Sequence, residues 1–336
     1  MKVKILNIII LSFCFLSITA VNVSTVEELY NALEKARPGQ IILIAPGEYD
    51  VTTYNKKTQY HFDIRGTESR PITIKAQDPY DPPILRGAKT NGDFVIHVRG
   101  DYWVIENIKV AFGSKGIVLE HSHHNIFRNI EIFNIGSHAV NIRDGSSHNL
   151  FQNCYIYNTG LYNSLFGIGI LIGLEHNITG YNLTNEYNVI ERCVIKQTTS
   201  EIIKIKEYCN HNEIFDCVFY GEGINGKSEA NSLIMISGSN NYIHNNVGYR
   251  NSNEYIEAAF EVKKVVENSG DGNKFENNVL FMDRPYGEKN KEKRIYVVDG
   301  VNSEFSVKNN KVDYGDGLID ADSNEFYNSD SVNFLK

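Results

Sequence analysis

The stretch "TTSEIIKIKE" (198–207) sets Lys204 and Lys206 two residues apart in a run of isoleucines. In an extended strand, residues i and i+2 share a face. Ile203 and Ile205 then point one way and both ammonium groups the other. Two cations held side by side repel, and each lowers the other's affinity for a proton. A lysine acts as a base only when its pKa is depressed, and a neighbouring cation depresses it. The pair is therefore a candidate for taking a proton from a substrate. The competing reading is a solvated sheet face, where lysines block unwanted association. What stacks above and below the pair decides between them.

The elements that must position these lysines are repeats. "HNIFRNIEI" (124–132), "HNLFQNCYI" (148–156), "YNVIERCVI" (187–195) and "HNEIFDCVF" (211–219) share one pattern. "YWVIENIKV" from 102 precedes them, and "NNYIHNNVGY" from 240 and "NKFENNVLF" from 273 continue it more weakly. The anchors Asn125, Asn149, Asn188 and Asn212 are spaced by 24, 39 and 24 residues. The long gap reads as one repeat plus a 15-residue insertion, a protruding loop holding Asn177 and Asn182. A period near 24 with short strands and no helices predicts a solenoid of parallel β-coils, each burying its apolar residues against the next.

Columns follow from the alignment. Ile130, Cys154, Cys193, Cys217, Asn246 and Asn278 share one inward position. Stacked asparagines hydrogen-bond from coil to coil. The cysteines read as a buried thiol ladder rather than a redox or metal site. His124, His148 and His211 share a turn position, with no carboxylate column in register to suggest a metal. A second strand type precedes each anchor. It yields one outward column of Glu120, Arg143, Gly173, Lys206, Ser237 and Lys263, and another of Val118, Asn141, Leu171, Lys204, Met235 and Glu261. Coils stack about 4.8 Å apart, so Arg143 lies roughly 10 Å from Lys206 with Gly173 leaving a gap between them.

The rest of the chain sets bounds. It has 336 residues, 42% hydrophobic and 22% charged, with a formal net charge of −8. An acidic chain without a Lys/Arg run is no nucleic-acid binder. Lys2 and Lys4, an apolar run over 5–16 and small residues to Ala20 read as a cleaved secretory signal (1–20). No later segment is apolar and long enough to span a membrane. The sequons at Asn22, Asn177 and Asn182 agree with a secreted, extracellular glycoprotein. Cys154, Cys193, Cys209 and Cys217 remain after the signal, and their spacing leaves any disulfide pairing open. "STVEELYNALEKA" predicts a capping helix over about 25–37, with Ser24 or Thr25 as N-cap. Coils over about 40–325 complete a single domain, 21–336, expected to be a monomer.

The helix followed by "PGQIILIAPGEYDV" and the repeated "NxxxxNxxI" coils resemble the right-handed parallel β-helix superfamily of pectate lyases and related polysaccharide lyases, over roughly residues 22–325. "NIRDG" (141–145), "GIGILIG" (167–173) and "TTSEIIKIKE" resemble runs in uncharacterised secreted β-helix proteins of the pectin lyase-like type. The resemblance implies an all-β, right-handed parallel β-helix, a single-stranded solenoid with a short N-terminal capping helix. It also implies a secreted polysaccharide lyase acting on uronate-containing glycan of the pectate type by β-elimination. In such lyases a Lys or Arg removes the proton beside a uronate carboxylate, while Ca2+ or a basic residue offsets the carboxylate charge.

Carried onto this chain, Lys206 or Lys204 is the base and Arg143 meets the carboxylate. His138 and Lys263 join Arg143 in substrate binding. Asp144, Glu201 and Glu207 are the nearest carboxylates for Ca2+, and the ordinary role of Asp144 and Glu207 is a turn or a salt bridge to these cations. The implied partner is an acidic polysaccharide. The chain departs from its relatives where "IDIK" carries an acid, here Lys204, where "VDVKG" stands, here "IMISG", and where "GEG" carries an acid, here Ile168. The alternative function is a non-catalytic glycan-binding or surface protein. An inverting polygalacturonase ranks last, because the chain lacks the "DD" and "GHG" motifs that supply its placed carboxylates.

Overall fold

The computed structural model describes residues 20–175, 178–227, 230–283, 295–297, 306–315, 317–320 and 326–328. Residues 1–19 of the expected signal (1–20) and the sequon Asn177 lie outside them. Thr25 caps the helix Val26–Glu34 with a reciprocal capping box: its Oγ1 accepts from Glu28 N–H, and the Glu28 carboxylate accepts from Thr25 N–H. The helix ends earlier than the 25–37 expected. Arg37 precedes Pro38, which disfavours helical backbone, and Gly39 turns the chain at φ +84°. Leu29, Tyr30 and Leu33 are buried beneath the helix. A strand the repeat pattern does not place, Ala20–Val23, precedes the helix and pairs in parallel with Ile41–Ile44.

The coils form three sheets wound right-handed, and among the described residues these hold eleven, eleven and ten strands, parallel throughout except for Leu318–Asp320, which pairs antiparallel with Lys311–Asp313. One turn shows the order: Ile126–Arg128 in sheet A, Glu131–Phe133 in sheet B, Val140–Arg143 in sheet C, then Leu150–Gln152 back in sheet A. The A-to-B corner keeps two residues in coil after coil. Its first residue adopts left-handed backbone: Asn129, Asn153, Arg192, Asp216, Asn245 and Asn277 have φ between 52° and 55°. Its second residue is buried and forms the column of Ile130, Cys154, Cys193, Cys217, Asn246 and Asn278, continued by Asn310. The 15 extra residues do not make one loop. They divide between the segments 158–169 and 173–188, on either side of the C strand Ile170–Ile172.

The thiols and amides of that column do the same job. Cys154, Cys193 and Cys217 each donate Sγ–H to a carbonyl of the preceding coil at 3.6 Å, and Asn246, Asn278 and Asn310 do so through Nδ2 at 2.8 to 3.0 Å. At the C-to-A corner a second ladder runs through Asn125, Asn149, Asn188, Asn212, Asn241 and Asn273; from Asn149 on, each Oδ1 accepts from the backbone and side chain of the asparagine in the coil before, and Asn125 Oδ1 accepts from Trp103 N–H. Outside it, Tyr102, His124, His148, Tyr187 and His211 stack with ring centroids 4.8 to 5.1 Å apart. The imidazole turn column is there, with tyrosines completing it.

All four described cysteines are free and buried. A thiol reagent is therefore expected to modify none of Cys154, Cys193, Cys209 and Cys217 in the native chain and all four after denaturation. Added reductant should leave the melting midpoint unchanged; a fall would reveal a disulfide.

Candidate functional site

Sheet C carries the candidate residues. Its register pairs Val118, Asn141, Leu171, Lys204, Met235 and Glu261 across successive coils, as the alignment predicts. Glu120 pairs with Arg143, and the column continues through Gly173, Lys206, Ser237 and Lys263, whose N–H groups donate to the coil before. An outward sheet face is ordinarily wet. Here Val118, Asn141, Leu171, Met235 and Glu261 are buried, so the face is a covered floor.

Lys204 and Lys206 stand on this floor, and each has its own carboxylate. Lys204 Nζ lies 2.8 Å from Glu201 Oε1, and Ser200 Oγ donates to Glu201 Oε2 at 2.5 Å. The Glu201 side chain is only 1% exposed. Lys206 Nζ lies 3.3 Å from Glu207 Oε2, in a more open setting. The like charges are thus tolerated by local neutralisation. The expected gap at Gly173 is filled. A Cβ placed there would meet Lys206 Cβ at 2.5 Å and Cys209 Sγ at 3.1 Å, because the Lys206 stem leans across it. Gly173 has φ +115°, so glycine is required there twice over, for backbone and for space.

Arg143 belongs to a second cluster centred on Glu120. Arg143 donates to Glu120 Oε1 through Nε at 2.9 Å and Nη2 at 2.5 Å, Tyr181 O–H donates to the same oxygen at 3.1 Å, and His97 Nε2 lies 2.7 Å from Oε2. The Phe94 and Tyr181 rings face the guanidinium. Burial works against the Glu120 charge, but the His97 hydrogen bond and the Arg143 charge outweigh it and bring the carboxyl down to about 2. Sequence reasoning placed Glu120 in the column without assigning it a role, and it missed His97, Phe94 and Tyr181. Glu120 was findable from its opposite charge one coil from Arg143. Tyr181 arrives on the irregular segment 173–188, where no period applies.

His138 is fully buried, its Nε2 3.1 Å from Glu175 Oε2, with Lys115 Nζ 3.8 Å from the same oxygen. Burial pushes the His138 pKa down, against the Glu175 hydrogen bond. His61, His123 and His148 shift the same way, also through burial. A histidine depressed in the folded state stays neutral while the unfolded chain takes up a proton, so its stability contribution is lost as pH falls below about 6.5. Glu120, also depressed, loses its contribution from about 4.5 down towards 2. Unfolding midpoints are expected to fall in two stages on acidification, and His138→Gln should flatten the first. A midpoint that rises between pH 7.5 and 5.5 would overturn the buried, neutral assignment.

Asp144, Glu201 and Glu207 do not converge. Asp144 sits in left-handed backbone and accepts from Asn182 N–H at 2.8 Å, while Glu201 and Glu207 hold the two lysines. Among the described residues, no three His, Cys, Asp or Glu side chains gather as metal ligands. Lys263 follows the strand Ala258–Val262 and is half-buried. Asn22 lies on the first strand. Asn182 is exposed, but its Nδ2 rests against Gly145, so close that a Cβ there would stand 2.7 Å away.

Residues 18–167 match the family described as Pel9A-like, right-handed beta helix region. Pectate lyase L of Dickeya chrysanthemi is 29% identical over 120 residues, covering 34% of this chain and 28% of that enzyme, so the match spans little more than a quarter of its length. The crystal structure of an alginate lyase from Paenibacillus sp. str. FPU-7 is 33% identical, covers 87% of this chain and 95% of its own, and superposes with a TM-score of 0.80. Pectate lyase Pel9A superposes with a TM-score of 0.55 at 17% identity over 88% of this chain and 73% of its own, a likeness of fold. Three wound parallel sheets, one capping helix and this identity over nearly the whole length of a solved structure agree: the chain is polysaccharide lyase-like and belongs to the right-handed parallel β-helix family of pectate lyase-like proteins.

Proposed function

We propose that the protein is a secreted, monomeric polysaccharide lyase that cleaves a uronate-containing glycan by β-elimination on the outward face of sheet C. The observation that carries this reading is the pair Lys204 and Lys206 on one covered floor, with Arg143 two coils away. Two of the similar proteins are named as lyases of pectate and of alginate, both uronate polymers.

In this reading Lys206 is the base. It is held less closely than Lys204, at 3.3 Å from Glu207 against 2.8 Å from the buried Glu201. It takes the proton from the carbon beside the uronate carboxylate. The electron pair forms the double bond as the bond to the glycosidic oxygen breaks, and that oxygen leaves with the departing chain and takes up a proton from solvent. Lys204, held 2.8 Å from Glu201, offsets the carboxylate charge as it spreads in the transition state. Arg143 adds its positive charge to that neutralisation through Nη1, the edge that Glu120 leaves to Asn141 Oδ1 at 3.4 Å. Ca2+ would supply the same neutralisation, but its candidate carboxylates are each engaged elsewhere, and no step runs through it.

One observation favours a second reading, a non-catalytic glycan-binding protein: all three cations already hold a carboxylate. Incubation with polygalacturonate, alginate and glycosaminoglycans, with and without Ca2+, separates the two. Unsaturated-product absorbance on any of them supports the lyase. Binding without such product on every one supports the alternative. Recovery of the chain from culture medium, beginning after Ala20, tests secretion.

A further inference from the structure

The corner that follows Lys206 is a tight turn. Cys209 N–H donates to the Lys206 carbonyl at 3.2 Å, so Glu207 and Tyr208 are its two central residues. Tyr208 adopts left-handed backbone, with φ +65°. A turn with positive φ at that place takes glycine or asparagine, and a bulky ring there is strained. Two coils earlier the matching turn closes from Ser146 N–H to the Arg143 carbonyl at 3.3 Å, and Gly145 fills the place with φ +76°. The next coil leaves the Lys206 turn no room to shift. A Cβ on Gly238 would meet the Cys209 carbonyl oxygen at 1.8 Å and that of Lys206 at 3.0 Å.

Other aromatic side chains in left-handed backbone have partners for their rings. Tyr102 and Tyr187 stack in the turn column, and Phe112 faces the Arg86 guanidinium at 4.4 Å. Among the described residues Tyr208 has no such ring contact and no side-chain hydrogen bond, and it is 42% exposed. Backbone strain that no contact within the fold explains points to a contact outside it. We propose that Tyr208 is the stacking platform for the sugar ring next to the one acted on at Lys206. The proposal rests on the lyase reading above and adds a recognition residue to it. The apolar C–H face of a pyranose covers the aromatic ring, and the phenol hydroxyl stays in water or meets a sugar hydroxyl. Lys206 and Tyr208 are two residues apart, at most about 7 Å along the chain, close to the step between neighbouring sugars. A glycan crossing sheet C towards this corner would meet Lys204, Lys206 and then Tyr208. Stacking does not depend on the sugar's carboxylate.

The test is calorimetric binding of short oligomannuronates and oligogalacturonates to the full chain, each beside its carboxyl-reduced, neutral form. Tyr208→Gly suits the turn and removes the ring. It is expected to weaken charged and neutral probes alike, by about tenfold. Tyr208→Phe keeps the ring and should hold affinity within about twofold of the parent chain. Should Tyr208→Gly fail to fold, Tyr208→Asn decides, since asparagine also tolerates left-handed backbone. Parent affinity in a folded variant without the ring overturns the platform. So does a loss confined to the charged probes, or a loss in Tyr208→Phe equal to that in Tyr208→Gly. Absence of binding of the parent chain to every probe also overturns it. Loss of both probe classes in Tyr208→Gly, without unsaturated product from the parent chain on any polymer, keeps the platform and overturns the lyase reading. Unsaturated product from the parent chain with unchanged binding in the variant without the ring overturns the platform alone.

Discussion

Lys206→Ala is expected to lower turnover of a uronate polymer by about 10³-fold, with the melting midpoint held near that of the parent chain. Removing a positioned base costs roughly 10² to 10⁴ in rate. The informative partner is Lys206→Arg. Guanidinium keeps the charge and much of the length but does not give up its proton near neutral pH. If Lys206 is the base, the arginine variant is as inactive as the alanine one. If it keeps most of the activity, the role of Lys206 is charge alone and the base lies elsewhere. Lys204→Ala should cost less, about tenfold, because its contribution is electrostatic, and it leaves the buried Glu201 short of a partner. Gly173→Ala offers an independent route. Its new Cβ would displace the Lys206 stem and should lower turnover without touching the ammonium group itself.

The largest effect on stability is expected from Asn188→Leu. Asn188 Oδ1 accepts from Asn149 N–H and Nδ2, and its own Nδ2 donates to Asn212 Oδ1 and to the Ser146 carbonyl. Leucine fills a similar volume but strands these buried groups. Unsatisfied buried polar atoms make this about 3–5 kcal/mol, read as a lower denaturant midpoint and a Tm lower by roughly 10 °C. A loss under about 1 kcal/mol would show that coil packing alone holds this corner. Cys217→Asn is the contrasting case. The next coil already carries Asn246 at that position with the same donation to the coil before, so little loss is expected.

What the sequence made legible follows from its period. A repeat near 24 residues ties each position to its neighbours one coil away. Arg143, Gly173, Lys206 and Ser237 could therefore be put in one column before any coordinates, and the thiol and asparagine columns likewise. Side chains that reach the site from irregular segments escaped. Tyr181 and Glu175 lie in 173–188, and Phe94 precedes its strand, so no spacing announces them. The periodic reading also left out what each cation pairs with. Glu201 and Glu207 lie three residues and one residue from their lysines, and whether they bind metal or lysine depends on side-chain directions that spacing does not encode. Gly173 shows the same limit, since a missing side chain looks like space until a neighbour's stem is seen lying in it.

The two-residue corner between sheets A and B repeats with the same backbone and a buried second residue, whereas the corners flanking sheet C absorb the extra length. One edge of the molecule is thus a spine and the other a row of exchangeable fittings. Exchanging the segment 158–169 is expected to leave the asparagine and thiol columns in place, whereas any exchange within 173–188 must keep its ends, Gly173 and the ladder residue Asn188. A laboratory seeking a new glycan specificity on this scaffold has its cutting points marked by the chain itself.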